Sequence, residues 1–186
     1  MIKNLLVALA LAALATGCSR EASKTATSTA APAAAKPAAD ANQANGAGDI
    51  PDTQAFVRYD GGTYSVLVPE GWSRTQSGKT VTFAWNADGE SITTDPPLDT
   101  TAYLATHFDA RAVTIRNATI AGSPGTIYSF TSHSKPDPVT GKVLTLENQA
   151  YVFAKNGRNA MLLLWAPAGA DNVDQWKKIS ESFRWK

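Results

Sequence analysis

AYVFAKNGRNAMLLLWAP, residues 150–167, spells a hairpin. Two apolar runs flank Asn156-Gly157, a pair suited to the two-residue turn whose central residues both take positive φ. The return run, Ala160 to Ala166, is almost wholly apolar. An alternating strand has one wet face, whereas a strand apolar on both faces needs cover on both. The stretch therefore predicts a central strand with packed layers above and below it.

Working outward, TYSVLVP (63–69) puts Tyr64, Val66 and Val68 on one face of a strand that stops at Pro69-Glu70-Gly71. KTVTFAWNADGESITT (79–94) reads as a second hairpin, with Val81, Phe83 and Trp85 alternating and Asn86-Ala87-Asp88-Gly89 as its turn. Asp99 or Thr100 caps a short helix running to about Ala110, with Leu104 and Phe108 on one face. Further strands are expected over 112–120, 126–132 and 143–154. GADNVDQWKKISESFRW (169–185) predicts a closing helix capped by Asp171. Val173, Trp176, Ile179 and Phe183 form its inner face, while Lys177, Lys178 and Glu181 face water. Each buried side chain of that face contributes on the order of 1.5–3 kcal/mol.

The expected fold class is α+β, an antiparallel sheet flanked by helices. YSVLVPEGW (64–72), ATIAGSPGTIYSF (118–130), ENQAYVFAKNGRNAMLLLWAP (147–167) and the terminal ISESFRW (179–185) together resemble the PsbP-like family. The pattern is one of core positions and turns, and it spans essentially the whole folded part. The resemblance implies an α/β/α sandwich. It also implies a role as an accessory protein. PsbP-like proteins are lumenal subunits of photosystem II in chloroplasts and cyanobacteria, and lipid-anchored envelope proteins of the DcrB type elsewhere. No catalytic residue follows from the resemblance.

The start of the chain speaks to location. Lys3 precedes an apolar run, Leu5 to Leu14, which is too short for a bilayer span of about 20 residues and suits an export signal. Ala15-Thr16-Gly17 then leads to Cys18, the only cysteine. This pattern resembles a lipoprotein signal cut before a lipid-bearing cysteine. Residues 1–17 are therefore expected to be a signal peptide and Cys18 the site of lipid attachment, with a diacylglycerol and a palmitate-type acyl chain. Two or more chains hold a protein on a membrane stably, at about 0.8 kcal/mol per buried CH₂. Residues 18–52 carry the lipidated cysteine and an Ala/Ser/Thr/Pro-rich disordered tether without an aromatic residue, and residues 53–186 form the domain. A flexible chain of about 32 residues spans roughly 30 Å. The expected location is the cell envelope: the outer membrane facing the periplasm in a Gram-negative source, otherwise the outer face of the cytoplasmic membrane.

From residue 49 onward there are 13 Lys/Arg and 14 Asp/Glu. No basic stripe appears, which argues against nucleic acid as a partner. A protein partner in the envelope is expected instead, and no cofactor. SGKT (77–80) lacks the glycine of a phosphate loop, Ser73 standing in its place, and Val81, Phe83 and Trp85 announce a strand where that loop needs a helix. SHSK (132–135) has serine–lysine spacing, but it follows a strand and meets Pro136 instead of riding a helix. His107 and Asp109, with Asp95 and Asp99 near in sequence, fall short of a metal ligand set.

Two loops remain as recognition edges on a rigid scaffold: TTDPPLDT (93–100) and TSHSKPDPVTGK (131–142). Candidate binding residues there and nearby are Asp95, Asp99, His107, His133 and Lys135, with Trp185 near the exposed end of the chain. The leading expectation is a non-catalytic accessory or binding module. A hydrolase or small-ligand binder using these loops is the alternative, and it requires a histidine joined to both a hydroxyl and a carboxylate, or an apolar pocket.

Overall fold

The computed structural model describes residues 48–186. The expected signal peptide, Cys18 and the tether up to residue 47 lie outside the described residues. In chain order the elements are β1 (Phe56–Asp60), β2 (Tyr64–Pro69), β3 (Ser73–Ser77), β4 (Thr80–Trp85), β5 (Asp88–Thr94), α1 (Thr100–Phe108), β6 (Arg111–Ile120), β7 (Ser123–His133), β8 (Thr145–Lys155), β9 (Arg158–Pro167), α2 (Val173–Ser182) and β10 (Arg184–Trp185).

β9, the apolar return strand, is the middle one of a seven-stranded antiparallel sheet ordered β3-β4-β5-β9-β8-β7-β6. The β8–β9 turn is Asn156-Gly157, at φ 52° and 74°, with Lys155 paired to Arg158. Strand alternation sorts the core into two. Leu162 and Leu164 join Val81, Phe83, Ile92, Ile127, Tyr151 and Phe153 on one face. Met161 and Leu163 join Phe130 and Ala150 on the other.

Helix α1 covers the second face through Leu104, which is fully buried. It crosses over β9, β8 and β7 to link β5 to the edge strand β6. The first face is covered by α2 and by a separate three-stranded sheet, β1-β2-β10. The architecture is thus mostly antiparallel sheet with two helices in three layers. The layer expected to be helical holds a small sheet beside its helix. No helix among the described residues is long and apolar enough to cross a membrane.

Several expectations are corrected. Asn86-Ala87 alone makes the β4–β5 turn, because Trp85 already pairs with Asp88. Asp88 and Gly89 are buried strand residues. Val173 is 71% exposed. Steps of three residues drift by about 60° around a helix, so two steps back from Ile179 leave the buried face. Phe183 is buried as expected, but it lies just past the end of α2. Asn172, not Asp171, occupies the cap position, and it makes no capping bond. Its side chain is committed to the segment entering the domain, donating to the Gly48 carbonyl at 2.8 Å and accepting from the Ile50 amide at 2.6 Å. Ile50 is buried in the first core, and Asp52 accepts from Gln175 Nε2 at 2.9 Å. The folded part therefore begins upstream of Thr53, the boundary expected from composition.

Candidate functional site

Strand registers place the two candidate loops at opposite poles of the sheet. Thr94 at the end of β5 pairs with Ala160, which pairs with Phe153. His133 at the end of β7 pairs with Thr145, one residue before the Leu146–Pro167 pair. The connector 95–99 thus belongs to the pole of the Asn156-Gly157 turn, and the loop 134–144 to the other. Thr93, Thr94 and 131–133, read as loop, are strand. A single site built from both loops is not assembled.

At the first pole the connector is stapled at each end. The Asp95 amide donates to the Asn159 carbonyl at 2.9 Å, and Asp95 Oδ2 pairs with Lys79 Nζ at 2.8 Å. Asp99 Oδ1 accepts from the Ala102 amide at 2.9 Å and caps α1. Both carboxylates are therefore spent on the shape of the connector. Between them Pro96-Pro97 precedes Leu98, which is 95% exposed.

At the second pole α1 ends where β7 ends. Asp109, in a left-handed cap conformation, contacts Arg111 at 3.0 Å and His133 Nδ1 at 3.4 Å through the same Oδ2. Arg111 first, then His133, hold the Asp109 carboxyl below its ordinary range. His107 lies elsewhere, its Nδ1 3.0 Å from the Tyr103 carbonyl and its ring against the Tyr103 ring. Lys135 is exposed on the loop 134–144. Asp137 organises that loop by accepting from the Val139 and Thr140 amides and the Thr140 hydroxyl, bonds that hold its carboxyl below the ordinary range, those of Thr140 most. Among the described residues no cluster of three or more His, Cys, Asp or Glu is placed to hold a metal ion.

Trp185 departs from expectation. It pairs in β10 with Tyr64 and packs edge-on against Phe153 and Phe183. The Arg158 guanidinium lies over its ring at 4.7 Å. It is a half-buried closing residue, because the sheet-forming end of the chain folds back onto β2.

Two features went unread in the sequence. One is a groove of about 320 Å³ between α2 and β6–β8, with Ile120, Ile127, Tyr151 and Trp176 inside and Arg116 and Lys177 among its lining. Its walls come from strands and a helix far apart in sequence, so only the fold reveals it. The other is a pair of carboxyls on β5 facing the first core. Glu90 is fully buried, with neither oxygen bonded to a partner among the described residues. Burial pushes it well above the ordinary range. Asp88, 6% exposed, is pushed up to about 7 by burial first and by Asp49 second. Tyr64 above them is raised to about 12, by burial and then by Tyr59 and Glu90. An acidic residue inside an alternating strand was the available signal, hidden by reading Asp88-Gly89 as a turn.

No protein-family model matches the chain, and no curated protein matches it. The solved structures similar to this chain include the following three. One is a protein of Bacteroides thetaiotaomicron VPI-5482, at 10% identity and TM-score 0.43, covering 67% of this chain and 45% of that one. This chain thus spans less than half the length of that protein. Another is cyanobacterial PsbP of Synechocystis sp. PCC 6803, at 16% identity and TM-score 0.47, covering 75% of this chain and 98% of that one. The third is LpqN of Mycobacterium tuberculosis, described as involved in cell envelope biogenesis, at 16% identity and TM-score 0.36, covering 71% and 91%. The structural neighbours thus include PsbP, namesake of the family that the core pattern of the sequence resembles.

Proposed function

We propose that this protein is a lipid-anchored bacterial envelope module that binds a protein partner and performs no chemistry of its own. The observation that carries the binding role is Leu98. It is an apolar side chain 95% exposed on a connector that Pro96-Pro97, the Lys79–Asp95 pair and the Asp99 cap hold in one shape. A pre-shaped loop loses little conformational freedom on binding, so its apolar contact is retained as affinity. Asp95 and Asp99 shape this edge and do not react. The anchor rests on Ala15-Thr16-Gly17-Cys18 after the apolar run.

A hydrolase needs a histidine poised between a hydroxyl and a carboxylate. His133 contacts Asp109, and His107 contacts the Tyr103 carbonyl, which favours the binding role. A second reading, capture of a small amphipathic ligand, is favoured by the groove beside α2 with its aromatic walls and Arg116 and Lys177.

Two experiments test the proposal. Cys18→Ser should shift the protein from the membrane to the soluble fraction or leave uncleaved precursor, and unchanged fractionation would refute the anchor. A photo-crosslinking amino acid at position 98, with the anchor intact, should yield a discrete protein adduct in cells that is missing when the label sits at exposed Lys142 on the opposite pole. Equal labelling at both positions would refute the edge.

A further inference from the structure

The chain enters the domain through a strap, residues 48–50, laid over the start of β5. Gly48 takes φ +92°, and a side chain there would meet the Pro167 ring and approach Asp88 Oδ1. Asn172 grips the strap at Gly48 and at Ile50. Between them Asp49 Oδ1 accepts from the Asp171 amide at 2.8 Å, and the Ile50 side chain enters the core. Beneath the strap lies Asp88, whose Oδ1 meets no hydrogen-bond donor among the described residues.

We propose that Asp88 and this strap form a proton-operated latch: the strap stays docked while the Asp88 carboxyl is neutral and loosens when it ionises. A buried carboxylate without a donor is costly, whereas the neutral acid is tolerated there. Lifting the strap returns water to Asp88, so ionisation and undocking are linked. Asp49 rides on the strap itself, so a charge on Asp88 also repels the segment covering it, the second cause of its raised value after burial. The adjoining end of α2 brings Asp171 and Asp174, and the same face of β5 brings Glu90. β4 and β9 contribute Trp85, Ala166 and Pro167, which do not titrate.

The sign follows from the two states. The docked carboxyl sits at about 7, above the ordinary 3.8 that an undocked one approaches. Docking is therefore strongest below the lower value, weakens as pH climbs through the interval, and levels off above the upper one. The latch sits at the joint between the domain and everything before it, so opening lengthens that connection and uncovers the core beneath Ile50.

Amide hydrogen exchange on the full-length protein, read by NMR from pH 4.5 to 8 and corrected for intrinsic exchange, tests this. The Ile50 amide should lose protection by up to about tenfold per pH unit until near neutrality, through an opening that low urea leaves unchanged, whereas urea should speed exchange at Leu163 on β9 because that amide opens only with the whole fold. Asp88→Asn should make Ile50 protection flat with pH. Asp49→Asn, a change on the surface strap, should end the fall at lower pH and serves if the Asp88 variant does not fold. A flat wild-type profile, an equal fall in Asp88→Asn, or Ile50 exchange that urea speeds as steeply as that of Leu163 would overturn the latch.

Discussion

The Trp165 indole on β9 occupies the space that a Cβ on Gly89 of β5 would need, the two residues being direct register partners. Gly89→Ala must therefore displace a ring wedged between strands. Overpacking of this kind costs about 1–3 kcal/mol, and the urea midpoint of Gly89→Ala should fall accordingly. An unchanged midpoint would mean that the ring moves freely.

Glu90 makes stability fall with pH. Its folded carboxyl is held above the ordinary 4.5 by burial, so the folded state keeps a proton that the unfolded chain releases. Stability is then greatest below the ordinary value and declines as pH rises above it, until the folded group ionises. Glu90→Gln removes that decline. At pH 8 the variant should exceed wild type by about 1.4 kcal/mol for each unit by which burial raises the folded carboxyl, with a much smaller gain at pH 4.5, because the glutamine amide has no charge to desolvate. Parallel urea midpoints across that range would dismiss the assignment.

These two residues also mark where the sequence stops being readable. The apolar run of β9 and the alternation of β2 announced a sheet covered on both sides, because burial on two faces leaves a compositional trace. β1 and β3 left none. FVRYD and SRTQS are edge strands, largely exposed and held by backbone pairing to one neighbour, so no periodicity was needed. The division into two sheets was likewise invisible, since pairing partners are set by the path of the chain and not by the composition of a strand. Asp95 and Asp99 do local work in the structure, a staple and a cap. His133 meets Asp109 because the β6–β7 hairpin, which pairs Arg111 with Thr131, brings together the residues two positions beyond that pair.

Arg158 ties the C-terminal strand down. It donates to the Thr63 carbonyl at 3.2 Å and the Lys186 carbonyl at 2.8 Å, with its guanidinium over Trp185. A lysine carries the charge without the planar fork. Arg158→Lys should cost about 0.5–1.5 kcal/mol, the net worth of a typical hydrogen bond, and should shift the Trp185 indole signal in NMR spectra. A variant with wild-type stability and an unmoved signal would count against this tie.

Leu98 should behave oppositely. Being 95% exposed, it has little burial to lose, and Leu98→Ser should leave the urea midpoint within about 0.5 kcal/mol of wild type. The crosslinked adduct near this edge should nevertheless disappear when the substitution is combined with a photo-label at exposed Thr101. Persistence of the adduct would assign the contact to other residues.

The pairing of β2 with β1 on one side and β10 on the other has a consequence for how the molecule is made. Its roof draws timbers from both extremes of the folded sequence, so ribosomes deliver the large sheet well before the last beam. Until Phe183 and Trp185 emerge, Tyr64 lacks the ring stacked on it and Phe153 lacks both of the rings set edge-on against it, and the nascent polypeptide stays unfinished. Such late closure is typical of long-range pairing.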